Sequence, residues 1–524
     1  MSMLEQGAAL LAGGRFQEAL AAYAQALRQD TTSMPARLGL AHACLGSGDA
    51  LTAIAWLSDA CRVAPGDARP AQMLADLLLG QKQFAQALPI FAWLCGELGA
   101  RNRANLLHLG FCKEHTGDFE GAARHYREAL VLDPDFMEAH VDLAGILWRL
   151  EDFDGSLAHG RRAEELAPQH AYAVRIHGTA LLNVDRLAEA EEKLRRALEL
   201  QPGLHLAELD LAFTLLGGGR LEEGWKMYER RWRDVDRLQR PAFWRAEHEW
   251  RGPAEQPAAG RTLAVYAEQG LGDVLQFARY LPRLQALGAT VCAVVQPELV
   301  PLIESSFEGV QCLKPERHLR ADLHVALLDL PLHLGTRTLG DIPAAVPYLK
   351  APATQAGHWR QRLQPWEGQV KVGIAWSGSL VQVNNRNRAI PLSLLLPLLG
   401  EPGVQGFSLQ KGDAGPNTDV QPDPQRLIDF TAEWQDFADS AAMIDQLDLV
   451  ITVDTAIAHL AGALGKPVWV LLPPNADWRW LVERDDSPWY PTARLFRRGF
   501  GEPRQRQVER VIGAFREGLA AMRG

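Results

Sequence analysis

The 524-residue sequence predicts an α-helical repeat solenoid followed by an α/β body of two parallel-sheet halves that face a cleft. Three observations carry this expectation. A small residue recurs at Ala19, Ala53, Ala87, Ala122, Ser156, Ala190 and Gly224, spaced by 34 residues except for one step of 35. From Arg261 onward short apolar runs alternate with helical stretches instead. Between the two regimes, residues 233–260 are rich in Trp, Pro, Arg and Gly and read as a linker packed between two bodies.

Within each repeat the spacing is helical. Ala19/Tyr23/Ala26 recurs as Ala53/Leu57/Ala60, Ala122/Tyr126/Ala129 and Ala190/Leu194/Ala197, which sets small, bulky and small side chains on one helix face. Twelve residues before each marker stands a second small residue (Gly7, Ala41, Ala75, Gly110, Ala144, Gly178, Ala212), where helices approach closely. Pro65, Pro134, Pro168 and Pro202 close four units. This pattern resembles the tetratricopeptide repeat, a helix-turn-helix unit that buries its apolar face only against neighbouring copies. Seven copies are expected over residues 1–232. The last reads as a junction, because Gly224 and Tyr228 keep the spacing while Arg231 replaces the final small residue.

Composition narrows the function. Hydrophobic content of 47% and charged content of 23% are those of a folded domain protein, and a formal charge of −10 argues against a general nucleic-acid binder. Six scattered cysteines without C-x-x-C spacing fit a reducing compartment. With no stretch of 18 apolar residues and no leader pattern before the first repeat helix, a cytoplasmic location without a membrane span is expected.

The α/β region divides into two Rossmann-like halves, residues 261–355 and 356–524. In the first, Thr262–Ala267 and Thr290–Val295 read as strands around a helix at Asp273–Leu287. In the second, strands are expected at Val370–Trp376, Gly406–Leu409, Leu449–Val453 and Val468–Leu472, with helices at Pro391–Leu399, Ala438–Leu447 and Ala456–Leu464. Residues 350–369, with Pro352, Gly357, Pro365 and Gly368, read as the hinge, and Val508–Met522 as a closing helix. The carboxyl ends of both sheets would face the cleft, so ligand chemistry is sought there.

Three segments lie at such strand ends. Glu268-Gln269-Gly270-Leu271-Gly272-Asp273 follows a strand and opens a helix, where glycines admit a ligand and free N–H groups suit an anion; Asp273 is equally explained as a helix cap. Asp454-Thr455-Ala456-Ile457-Ala458-His459 ends a strand and starts an apolar helix, a seat for phosphate in which Thr455 donates through hydroxyl and backbone. The alternative there is an N-cap at Asp454 and a core histidine at His459. The polar loop Ser377–Ala389 holds Gly378, Arg386 and Arg388, and two arginines suit a diphosphate, although Arg386 also fits a solvated loop. Gln410 and Lys411 follow the next strand, and Lys411 equally suits an exposed turn. Trp434, Trp478, Trp480 and Trp489 suit either stacking on a ligand or packing.

Together, Gly270-Leu271-Gly272-Asp273 and the run Asp454-Thr455-Ala456-Ile457-Ala458-His459-Leu460-Ala461-Gly462-Ala463-Leu464-Gly465-Lys466-Pro467 resemble the heptosyltransferase-type GT-B glycosyltransferases over roughly residues 261–500. The resemblance implies inverting, metal-independent transfer of a sugar from a nucleotide-sugar co-substrate, with no resident cofactor. Asp273 would be the general base, and Gln269, Gly270, Leu271 and Gly272 the acceptor-side loop. Arg388, Asp454, Thr455 and Ala456 would hold the donor diphosphate, with Ser377, Gly378, Gln410, Lys411 and His459 around it. The family often carries lysine where this chain has Arg388.

Repeats joined to such a body also resemble O-linked N-acetylglucosamine transferases and bacterial repeat-fused glycosyltransferases such as those that modify flagellin. The asparagine ladder of the animal enzyme is replaced here by Glu5, Gly39, Met73, His108, Asp142, Ile176 and Asp210, so side-chain recognition of a folded or helical protein surface is expected. The leading expectation is therefore transfer to a hydroxyl of a protein acceptor on the repeats, flagellin being one candidate; self-association stays open. Two alternatives stand beside it: a non-catalytic adaptor with a degenerate GT-B body, and a cell-surface glycan transferase of heptosyltransferase type. The repeats count against the last, because a small glycolipid needs no extended concave surface.

Overall fold

The computed structural model describes the chain apart from residues 234–237, 316–318, 381, 383, 413 and 523–524. Helices run in pairs from Met3 to Tyr228, and the chain divides into two compact units, Met1–His177 and Gly178–Gly524. The expected solenoid of residues 1–232 is thus split, and its last helices belong to the same unit as the α/β body.

The repeat columns act as knobs and holes. A Cβ added to Gly7 would stand 2.9 Å from the Tyr23 ring, and one on Gly110 would stand 2.6 Å from Tyr126. Asp49, Asp118 and Asp152 cap three second helices by accepting the backbone N–H of Thr52, Gly121 and Gly155 at 3.0, 2.9 and 2.9 Å. Five residues before each marker the turn passes through the left-handed region, at Gly14, Gly48, Lys82, Gly117, Glu151, Asp185 and Gly219, with φ between 57° and 89°. The period is therefore written into the backbone as well as the side chains. Glycine fills four of the seven positions because it has no Cβ to clash there.

The first sheet comprises β1 (Thr262–Tyr266), β2 (Thr290–Val294), β3 (Gln311–Cys312) and β4 (Leu323–Ala326), all parallel, in the order β3-β2-β1-β4. The second comprises β5 (Val370–Ala375), β6 (Val404–Ser408), β7 (Leu427–Asp429), β8 (Leu449–Val453), β9 (Val468–Leu472) and β10 (Ala493–Arg497), again parallel, in the order β10-β9-β8-β5-β6-β7. Six of these strands were expected. The short strands β3, β4 and β7, and the alternating β10, carry too few apolar residues in a row to announce themselves. The linker covers the edge of the first sheet: Glu249 bridges His324 of β4 in parallel, and the fully buried Trp250 donates its backbone N–H to the His324 carbonyl at 2.8 Å.

Two expectations need correction. The proposed hinge contains the helix Ala353–Leu363, which starts directly after Pro352. Its Trp359 is fully buried and donates its indole N–H to Asp439 of the helix Phe437–Asp445 at 3.1 Å. A proline before the first turn costs no helical hydrogen bond, so Pro352 caps this helix instead of marking an irregular segment. The first-half helix also breaks early: Leu271–Phe277 is followed by a 3-10 turn and a second helix, Leu281–Ala286. The closing helix, Arg504–Met522, buries Val508, Val511, Phe515 and Leu519 in the core of the second half beside Val372, Ile374 and Trp469.

The junction is part of the second unit's largest core. Trp225 packs edge-on against Phe277 and Trp478 with centroids 6.0 and 5.4 Å away. Arg231 is buried and ion-paired with Glu268 at 2.7 Å and Asp329 at 2.6 Å. Breaking a buried pair from one side commonly costs about 3–5 kcal/mol, since the partner charge stays behind.

Two outcomes follow from this architecture. Gly117→Val adds a β-branched residue to a left-handed turn with no atom within 4 Å of its Cβ, so urea unfolding of Met1–His177 should show a loss of about 1–2 kcal/mol from the backbone alone. A chain starting at His170 should be monodisperse and melt cooperatively, whereas one starting at Arg233 should aggregate, as judged by light scattering and calorimetry. Equal melting of the two would show that the last repeat helices are dispensable.

Candidate active site

In each sheet the strand order reverses beside the first strand of that half: β1 lies between β2 and β4, and β5 between β6 and β8. The crevice at the carboxyl end of such a switch point is where open parallel sheets admit ligands. The loops that leave β1, β5 and β8 are the three segments singled out from the sequence.

After β8, Thr455 caps the helix Ala456–Ala463: its hydroxyl accepts the Ile457 N–H at 3.3 Å and sits 3.2 Å from the Thr452 hydroxyl. The cap is therefore Thr455, which leaves the half-buried Asp454 carboxylate outside the helix. Burial raises the Asp454 pKa, and the nearby Arg388 guanidinium opposes that rise. His459 is buried one turn on. Its Nδ1 is 3.0 Å from the Tyr490 hydroxyl, and its ring stacks on Trp480 at 5.3 Å and 15°. Burial, with Arg479 close by, pushes the imidazole down to about 3, so it is a neutral ring that shapes the wall.

The loop after β5 is organised by two amides. Gln410 Oε1 accepts the backbone N–H groups of Trp376 and Ser377 at 3.2 and 2.9 Å. Asn385 accepts the Gly378 N–H at 2.9 Å and donates to the Ser377 hydroxyl at 3.2 Å. Arg388 lies over Gly378, where a Cβ would fall 2.1 Å from its guanidinium, and its Nε donates to Asn385 at 3.3 Å. Glycine is required here because the arginine occupies the space of a side chain. Arg504 and Arg498 hold the loop from behind by donating to the carbonyls of Ala389 and Asn387 at 3.1 and 3.3 Å. Arg386 points to solvent, while Lys411 is exposed and donates to the Trp434 carbonyl at 2.6 Å.

After β1, Asp273 is the third residue of its helix. Its Oδ2 accepts the N–H of the capping residue Gly270 at 2.9 Å, and its Oδ1 accepts Arg479 Nη2 at 2.5 Å. Burial raises the carboxyl pKa while Arg479 pulls it down. Gly272 lets this helix meet the second half: a Cβ there would stand 3.0 Å from His459 Cδ2 and 3.6 Å from the Ala456 Cα. Leu271 packs on the common core, and Gln269 donates to the Tyr228 hydroxyl at 2.6 Å. Behind the loop, Glu268 is pushed up to about 7 by burial, against the pull of Arg231.

The structure thus brings Gly272 up to Ala456 and His459 across the halves, pairs Asp273 with Arg479, and sets Arg388 within electrostatic reach of Asp454. Lys411 stands apart on the β6 side. The sequence reading missed Arg479, Asp477 and Tyr490 as site residues, and it placed Asn385 in the polar loop Ser377–Ala389 without a role of its own. Arg479 lay between two tryptophans already noted, yet nothing in local spacing reveals that it pairs with a carboxylate 206 positions away. Trp434, Trp478 and Trp489 are packing residues, and Trp480 stacks on His459.

Residues 435–494 match the family model for glycosyltransferase family 9 (heptosyltransferase), and residues 10–77 and 116–171 match tetratricopeptide repeat models. The first match contains Asp454, Thr455, His459, Asp477, Arg479 and Tyr490. Protein FlbA of Caulobacter vibrioides is 28% identical over 433 residues, which cover 74% of this chain and 69% of that protein. Solved structures that resemble part of the chain include YrrB, a tetratricopeptide-repeat protein with an unusual peptide-binding site (18% identity, TM-score 0.32, 35% of this chain and 95% of that one). Another is MamA of Desulfovibrio magneticus RS-1 (20% identity, TM-score 0.29, 32% and 93%). Among the described residues no helix is long and apolar enough to cross a membrane. The chain joins an N-terminal tetratricopeptide-repeat region to a C-terminal heptosyltransferase-like GT-B domain, a glycosyltransferase that uses a nucleotide-sugar substrate.

Proposed function

We propose that the second unit transfers a sugar, with inversion and without a metal ion, from the nucleotide-sugar to a saccharide hydroxyl, with Asp273 as general base. The family match over residues 435–494 supports a glycan acceptor of heptosyltransferase type better than the protein acceptor expected from the repeats. The observation that carries the chemistry is the convergence of one carboxylate, Asp273, with a phosphate seat at Thr455 and Arg388 around one pair of switch points. The acceptor oxygen attacks the anomeric carbon from the face opposite the diphosphate while its proton passes to Asp273. The bond from that carbon to the phosphate oxygen breaks, and its electron pair leaves with the nucleoside diphosphate. Arg388 and the Thr455 hydroxyl and N–H meet the charge that develops there, in a site where such donors act at low dielectric.

A protein acceptor remains the second reading, and one contact favours it. Tyr228 in the last repeat holds Gln269 in the acceptor-side loop, so repeat and loop are parts of one body. Flagellin belongs to this second reading. The enzyme match leaves the adaptor alternative without support.

Asp273→Asn should lower turnover by about 10²–10⁴-fold in a chain that still folds, with a lowered melting temperature because the buried Arg479 keeps only Asp477 as its ion-pair partner. Because burial raises the Asp273 pKa, the base stays protonated to a higher pH than an ordinary carboxylate. Wild-type turnover should then fall as pH drops through that raised value, and the Asn variant should lack this acid limb. Arg388→Ala should cost about 10²–10³-fold, and Gly378→Ala, which displaces the same guanidinium, should weaken nucleotide binding in calorimetry. Labelled transfer from UDP-, ADP-, GDP- and CMP-sugars to a lipopolysaccharide-core oligosaccharide and to purified flagellin distinguishes the acceptors. Label only on flagellin would sink the glycan reading.

A further inference from the structure

Arg479 is shared between two carboxylates, one of them Asp273, and leaves one of its own donors unpaired. Its guanidinium is buried and bridges two carboxylates, Asp273 Oδ1 at 2.5 Å and Asp477 Oδ1 at 2.8 Å. Its Nε has no hydrogen-bond partner, although it is shut away from solvent. A buried donor left unpaired in the protein alone points to a partner that arrives later.

The same arrangement makes Asp273 a weaker base than its burial alone would make it, because the Arg479 charge opposes protonation. Both of its oxygens are engaged, Oδ2 by the Gly270 N–H and Oδ1 by a full positive charge. The groups that face this pair are Asp477 from its own loop, Tyr228 from the last repeat helix, Glu268 from the β1 loop, and Arg388, Asp454 and His459 from the donor side. Glu268 is paired with Arg231, and the Tyr228 hydroxyl is bonded to Gln269, so neither competes for Arg479. The guanidinium lies 4.3 Å over the Trp478 ring, a flat apolar face across which it can turn and keep its cation–π contact.

We propose that Arg479 is a donor-operated latch: the diphosphate of the nucleotide-sugar draws its guanidinium from Asp273, so that the base becomes free only when the donor is in place. The inference rests on Asp273 being the base. A diphosphate offers more negative charge than one carboxylate and takes a planar guanidinium in bidentate fashion, so the exchange runs toward the phosphate. Donor binds first, acceptor second. The unpaired Nε then gains a phosphate oxygen, and Asp273 keeps only its Gly270 contact.

The latch has a signature that needs no turnover. When the cation leaves, Asp273 becomes more basic and takes up protons from solution. Full-length protein titrated with UDP, ADP and GDP by calorimetry at pH 6, in buffers of differing ionisation heat, reports proton uptake for each nucleotide that binds. Wild type should take up more protons than Asp273→Asn with the same nucleotide, the variant subtracting uptake by phosphate and by Glu268. Arg479→Gln should weaken binding by about 10- to 100-fold, the loss of charge-assisted hydrogen bonds, and Arg479→Lys should restore part of it. Binding with equal uptake in wild type and Asp273→Asn would overturn the latch and leave the donor site standing. Binding by none of the three would overturn the donor site and the latch with it. The Asp273→Asn comparison keeps the Arg479 side chain, still held by Asp477 at 2.8 Å, so it decides the matter even where Arg479→Gln fails to fold.

Discussion

The buried Arg231 guanidinium is the contact on which the catalytic unit depends. It comes from the last repeat and reaches Glu268, at the carboxyl end of β1, and Asp329, just past the end of β4. Those two strands flank the switch point of the first sheet, so one side chain fixes both lips of the crevice to the repeat helix. Tyr228 and Trp232 stack on the guanidinium at 4.8 and 4.9 Å, and the Trp232 indole donates to the second Asp329 oxygen at 3.3 Å. Desolvating three charges costs several kcal/mol for each ion, which such a cluster offsets only when its geometry is closely satisfied. An apolar contact of equal volume would hold the bodies together. It would not set the register of Gln269 and Gly270 relative to the last repeat, and the hydrogen bond from Gln269 to Tyr228 shows that register being set.

The same device recurs between the two halves. Arg279 is buried in the first half and donates to the Trp489 carbonyl of the second at 2.7 Å and to the Tyr348 hydroxyl at 2.9 Å, with Tyr490 under its face at 4.7 Å. Arg479 repeats the pattern in the opposite direction, from the second half to Asp273. The two differ in what they bond. Arg279 ends on a carbonyl and a phenol, groups with no reason to release it. Arg479 ends on carboxylates, one of them in a site built for anions, and its hold is conditional on what else occupies that site.

The contrast explains what could be read in the sequence. The repeat was legible because seven copies of one contact impose seven copies of one residue choice, down to the left-handed turns that no side-chain pattern announces. Strands β1, β2, β5, β6, β8 and β9 were legible because burial on both faces makes unbroken apolar runs. Strand β4 was not, since His324 interrupts it to serve the linker. The helix Ala353–Leu363 was not legible because Pro352, Gly357, Pro365 and Gly368 made the segment look irregular. Asp273, Thr455 and Arg388 were singled out because they follow strand ends, but their partners come from folding. Neither the Arg479 contact nor the Tyr490 contact with His459 has any signature in local spacing.

These contacts also divide the repeats by role. Trp225, Tyr228 and Arg231 make the last repeat a wall of the catalytic body, within a hydrophobic core continuous with Leu275, Phe277 and Trp478. A segment bonded to the loop after β1 in this way cannot exchange partners without disturbing that loop. The remaining repeats form the separate unit Met1–His177. In the column that holds asparagines in the animal enzyme, that unit carries His108 and Asp142; burial with Glu114 and Glu138 nearby pushes the Asp142 carboxyl up to about 8. A largely protonated carboxyl at neutral pH donates as well as accepts, yet a single one reads a particular side chain and cannot grip an extended backbone along its length. The contacts of Trp225, Tyr228 and Arg231 therefore set the last repeat apart from the copies in Met1–His177: it is built as a wall of the α/β body.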